Sequence, residues 1–257
     1  IDLRIFFIFL VFVLSVEFLG YTAVRHLGER KGLIAFAWLG SFVHSETTTM
    51  EITRMYTKLR PKLTSSLSAV AILIVDVSML LRSILFLLIL TIGAMRLVAL
   101  YALSVLASVV FGVGVSYLWF RKHRVVIIEK ARLLRSPLSY GNAIKYASVL
   151  LLLSVIIVFL EKISFSLMMA AVFVGGFFSV TGTELAIASM YSAGAISSSE
   201  ALLLLDIAIC AGLFNKIIYI KLARGDRWIM LRALAYTIVL VLLIAVSNFL
   251  VLMFAVS

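Results

Sequence analysis

Apolar runs long enough to cross a bilayer alternate with short polar punctuation along this chain. A helix rises about 1.5 Å per residue and needs about 20 residues to span the hydrocarbon core. Windows of that length mark eight elements: 5–24, a run from Leu33 that turns polar at His44, 68–90, 97–120, 143–160, a run from Phe165 that loosens at Gly175-Gly176, 201–222 and 228–254. The expected fold class is therefore an all-α polytopic membrane protein of about eight transmembrane or half-membrane helices.

The second and sixth elements break the pattern. Eleven apolar residues, Leu33 to Val43, precede HSETTTMEIT. They rise only about 16 Å, half the hydrocarbon core. The polar stretch then starts near mid-membrane, where lipid does not tolerate it and protein or water must receive it. The alternative is an interfacial helix whose charges sit among headgroups.

The two broken elements also resemble each other. GSFVHSETTTMEITRMY, from Gly40, aligns without gaps to GGFFSVTGTELAIASMY, from Gly175, at an offset of 135 residues. Gly40/Gly175, Phe42/Phe177, Thr48/Thr183, Ile52/Ile187, Met55/Met190 and Tyr56/Tyr191 match. Arg82 corresponds roughly to Lys216 in the following span. This predicts two homologous repeats of about 135 residues, 1–135 and 136–257, each with four helical elements. Many transporters are built from such repeats, with sites at interrupted helices. If the second and sixth elements cross fully, the repeats are parallel; if they re-enter, they are inverted.

Composition agrees with a bilayer. Of 257 residues, 64% are hydrophobic and 14% charged. That excludes a soluble enzyme, a disordered chain and a disulfide scaffold. The net charge of +11 lies mainly between apolar runs, so it reads as topology and as contact with anionic lipid headgroups, not as nucleic-acid binding. The basic loop Arg121 to Asn142 is the expected cytoplasmic marker, on a protein of the plasma membrane. The motifs of a phosphate loop, HExxH and GxSxG are absent, and no enzyme is expected.

Ionisable residues at membrane depth mark function. They are Glu17, His44, Glu46, Glu51, Asp76, Arg82, Glu184, Asp206 and Lys216. Asp206 reads as close enough to the start of its span to reach water, and Cys210 as a packing residue.

The segment from Glu17 to Arg54 resembles the C-terminal membrane domain of long MgtC/SapB-family proteins. The resemblance rests on Gly20-Tyr21, Gly28, Gly32, Gly40, the run Ser45 to Thr49 and Arg54. Further along, Arg82, Pro137, Ser139, the Gly175 motif, Lys216 and Gly225 fit in order and spacing. The family usually carries Asp-x-Asp where this chain has Ser179-x-Thr181; the repeat-related positions are His44 and Glu46, so an acid stands in the other repeat instead. The resemblance implies a membrane protein linked by name to magnesium, with transport not established.

These readings converge on one expected site. His44, Glu46, Thr48 and Glu51 join Ser179, Thr181, Thr183 and Glu184 as ligand-binding residues, with Asp76, Arg82 and Lys216 as counter-charges. The ligand is expected to be a cation, H⁺ or Mg²⁺, with Glu46, Glu51 and Glu184 as the candidate metal ligands and no other cofactor. The alternative is a non-transporting regulator or scaffold that binds another membrane complex, or a homodimer.

Overall fold

In 65–90 nearly every position is apolar, and only intrahelical bonding can satisfy such a backbone inside lipid. Its start is set by Thr64, whose hydroxyl accepts the Leu67 N–H at 3.2 Å. The computed structural model describes residues 33–58, 63–91, 95–122 and 164–255, with positions 11, 152, 155, 156 and 159 besides. The expectations for the first and fifth spans, for Glu17, for the 20–32 and 137–139 motifs and for most of the Arg121 to Asn142 loop lie outside these residues.

Among the described residues the chain is all helix. The elements are α1 (Leu33–Lys58), α2 (Ser65–Leu90), α3 (Met95–Lys122), α4 (Phe165–Phe178), α5 (Val180–Ser192), α6 (Ser198–Leu222) and α7 (Arg227–Ala255). Four of them, Ser65–Ile89, Met95–Lys122, Ser198–Leu222 and Arg227–Phe254, are long and apolar enough to cross a membrane. This is a helical membrane protein. α6 begins in a capping box, Ser197 with Glu200, which satisfies two N-terminal donors reciprocally.

Hydrogen bonds fix the helix directions. Ser104 of α3 and Asn248 of α7 both donate to Asp206 of α6, and Ser108 donates to the Leu240 carbonyl at 2.9 Å. Moving from 104 to 108 on α3 therefore means moving from 248 to 240 on α7, so these helices are antiparallel. Tyr101 of α3 lies by Ser83 of α2, and Gly112 by Val77 and Leu73, so these two helices are antiparallel, and a short turn joins α6 to α7. It follows that α2 and α6 are antiparallel too.

The broken helices follow a different course. α1 is interrupted at His44 (φ −152°, ψ 105°), and Ser179 (φ −160°, ψ 100°) separates α4 from α5. Ser41, before the break, meets Val75, and Ser45, just past it, meets Met79, so the chain advances along α2 up to the break. After the break α1 returns: Tyr56 donates to Asp226 at 2.7 Å, in the α6–α7 turn. α4 likewise advances along α6. A Cβ on Gly176 would stand 2.4 Å from the Ala208 carbonyl oxygen, and one on Gly212 would stand 2.1 Å from Val180 Cγ2. α5 then turns back to the start of α6, where the Tyr191 and Ser198 hydroxyls lie 3.2 Å apart.

The interior reverses the soluble pattern. Asp76, Ser78, Arg82 and Ser83 of α2 are buried, while Leu85 and Leu88 are exposed. α3 and α7 carry outward rows such as Leu103, Leu106, Val110, Leu242, Val246 and Phe249.

Candidate functional site

A helix broken inside a bundle exposes carbonyls at one cut end and N–H groups at the other. Here the cut ends are met by side chains. At the first break Arg82 Nη1 donates to the Ser41 carbonyl at 3.2 Å, and the Thr48 hydroxyl donates to the His44 carbonyl at 2.8 Å. At the second, Asn215 Nδ2 donates to the Phe177 carbonyl at 2.9 Å, and the Thr183 hydroxyl donates to the Ser179 carbonyl at 3.0 Å. Ser179 Oγ also accepts the Gly182 N–H at 3.2 Å, capping α5. Charges follow the half-helix dipoles. The Arg82 cation lies at the C-terminal end of one arm, and Glu46 is the second residue of the arm that restarts after His44.

One ion pair joins the two broken regions. Lys216 Nζ of α6 lies 3.6 Å from Glu46 Oε1 of α1, with the lysine side chain 0% and the glutamate side chain 24% exposed. The ammonium also donates to the Gly212 carbonyl and to Asn215 Oδ1, each at 3.1 Å, and to Met79 Sδ at 3.6 Å. Glu46 interacts electrostatically with Arg82 and His44 as well. Asp76 interacts with Lys216, and Glu184 with Arg82. Five charged side chains from α1, α2, α5 and α6 thus form one electrostatic cluster beside both breaks.

The cluster is not saturated. Asp76 Oδ1 and Glu184 Oε1 are buried without a hydrogen-bond partner, whereas the Tyr101 hydroxyl lies by Ser83. Buried polar groups are nearly always paired, so these atoms hold bonding capacity in reserve.

The expected site residues separate as follows. His44, Glu46, Thr48, Ser179, Thr183 and Glu184 stand at or beside the breaks, and Thr181 is buried in the restarting arm of α5. Glu51 does not join them: it pairs with Arg54 on its own helix. Among the described residues no group of three or more His, Cys, Asp or Glu could hold a metal ion. Glu46, Glu51 and Glu184 therefore do not meet as one ligand set, because the helix carries Glu51 more than a turn away from the break. His44 is not part of a continuous polar helix face, since the helix breaks at that residue. The sixth element gives way at Ser179, not at Gly175-Gly176. Gly176 serves instead for close contact with α6.

Asp206 requires a correction. It does not reach water: it is 6% exposed, with the Ser104 hydroxyl donating to Oδ1 at 3.0 Å and Asn248 donating to Oδ2. α6 starts at Ser198, three residues before the apolar run, which sinks Asp206 to roughly 12 Å from the helix end. Asn215, Asn248, Ser104 and Tyr101 were not singled out in the sequence. The available signal was that two of the chain's three asparagines lie inside apolar runs, where each needs a partner.

Residues 11–223 match the family described as Domain of unknown function (DUF4010), and the chain belongs to it. No curated protein matches the chain, and no solved structure does.

Proposed function

We propose that this DUF4010 protein is a transporter-like membrane protein made of two inverted copies of one unit, and that it moves or senses protons at the Glu46–Lys216 pair. The kinship with the long MgtC/SapB proteins belongs to this proposal and brings no metal site with it.

Several pairings support the duplication. The breaks at His44 and Ser179 are 135 residues apart and share nearly the same dihedrals. The back-bonding hydroxyls Thr48 and Thr183 keep that offset, and a polar side chain of the next span closes each cut end. Ser108 and Leu240, which touch, hold like positions in α3 and α7. The corresponding helices run in opposite directions, and each broken element goes in and turns back on its own side. These features support inverted repeats related by an axis in the membrane plane.

The observation that carries the functional reading is the ion pair linking one copy's break to the other copy's span. A proton on Glu46 removes the charge that holds Lys216 and frees the returning arm of α1 from α6. Arg82 can then pass between Glu46 and Glu184, the two carboxylates it interacts with. Among the described residues no three carboxyl, imidazole or thiol groups meet to hold a metal ion, so H⁺ is the better candidate of the two. The regulator or scaffold reading requires a cluster fully consumed in internal pairs, and the reserve atoms on Asp76 and Glu184 weigh against it.

The test is proton flux into proteoliposomes under an imposed potential, followed with an internal pH dye. Wild-type protein should acidify the lumen and Glu46→Gln should not, with no Mg²⁺ entry in either. Absent flux in the wild type, or equal flux in the variant, overturns the proposal.

A further inference from the structure

Away from the breaks, α4, α6 and α7 border an open cavity of about 370 Å³. Its walls are apolar, with Phe173, Ile207 and Phe249 among them, except at Asp206 and Asn248. Phe173 and Phe249 are exposed on the outer face of the bundle, so the cavity opens sideways toward lipid. Asp206 is the only acid in its lining. Ser104 and Asn248 hold its carboxyl in place, and both are neutral. No Lys, Arg or His among the described residues forms an ion pair with it. An acid in an apolar wall with no counter-cation is costly, and it selects for a positive partner.

A second cavity of about 240 Å³ lies between α1, α2 and α3 and serves as an internal comparison. The residues α3 contributes, 112, 113, 116, 117 and 120, have the same spacing as 244, 245, 248, 249 and 252 of α7. That cavity contains no carboxylate. The acid is therefore particular to one cavity and is not a by-product of the helix arrangement.

We infer that the Asp206 cavity binds a lipophilic cation arriving from the bilayer. The apolar body packs among Phe173, Ile207 and Phe249, and the positive centre faces the Asp206 carboxylate. The aromatic faces add cation–π attraction, and the volume lies in the range of small-molecule sites. Nothing in this assignment depends on proton movement at Glu46.

The probe is radiolabelled methyltriphenylphosphonium, measured by equilibrium dialysis against the full chain in nanodiscs of zwitterionic lipid. Wild type should bind it saturably, one per chain. Asp206→Asn should weaken binding on the order of tenfold or more. Asp206→Glu should keep it, and so should Glu46→Gln. Cys210→Trp fills the cavity and leaves the acid in place, and it should abolish binding. The neutral triphenylphosphine should compete poorly. The inference is overturned if folded wild type shows no saturable binding, if Asp206→Asn or Cys210→Trp binds like wild type, or if triphenylphosphine competes equally.

Discussion

Replacing Lys216 by Met removes the ammonium while keeping an unbranched apolar stem of similar volume. In the native protein the ammonium is fully buried, 3.6 Å from Glu46 Oε1, and donates to Gly212 and Asn215. At that separation and an effective dielectric constant of about 20, the gross attraction is roughly 4–5 kcal/mol. Two effects reduce the loss. Met does not incur the desolvation that a buried ammonium does, and Arg82 still faces Glu46. Glu46 is also a quarter exposed, which screens the pair. Lys216→Met should therefore cost about 2–3 kcal/mol. Glu46→Gln leaves a fully buried ammonium facing a neutral amide, a larger penalty of about 3–5 kcal/mol. The double variant lacks both charges and should be more stable than the sum of the two losses implies, by about 2–3 kcal/mol. Unfolding in mixed micelles by SDS titration, followed by far-UV circular dichroism, measures all four proteins. Additivity within about 0.5 kcal/mol would falsify the pairing.

Four further outcomes follow from the packing and capping. Gly176→Ala sets a methyl against the backbone of α6, where no rotamer relieves it, and should cost about 1–3 kcal/mol in the same titration. Gly114→Ala meets nothing within 4 Å and should be neutral or stabilising by up to about 1 kcal/mol; an equal loss in both variants contradicts the close contact. Asn215→Leu strips a partner from both the Phe177 carbonyl and Lys216, so it should cost about 2–3 kcal/mol, whereas a loss below about 0.5 kcal/mol denies that the amide closes the cut helix end. Ser197→Ala removes the capping box and should cost about 1 kcal/mol, read as earlier unfolding of α6, and no change means that the box is idle.

The long apolar helices were legible because lipid permits few solutions for such runs: α2, α3, α6 and α7 lie within a few residues of the expected spans. The breaks were legible in outline, since eleven apolar residues cannot cross a membrane. Their position to the residue was not. Gly175-Gly176 looks like a breaker, but a glycine in a helix also serves close packing, and the carbonyl of Ala208 takes up that space. The actual interruption falls at Ser179, a residue that can cap the helix restarting after it. The candidate metal ligands failed on simple spacing. Glu51 lies three residues from Arg54 on the same helix, and that local partner was readable in the sequence. Asp206 could not be placed from hydropathy, because its partners Ser104 and Asn248 come from helices far away in the chain.

The central claim is that protons move or are sensed at the Glu46–Lys216 pair beside the two helix breaks, and aqueous access to the breaks tests it directly. Single cysteines at His44 and at Ser179, each in a Cys210→Ala background, should react with a charged, membrane-impermeant thiol reagent in reconstituted vesicles. Both should react much faster than a cysteine at the lipid-facing Leu242. If both are as inert as that control, the breaks are sealed in dry protein and the account is wrong.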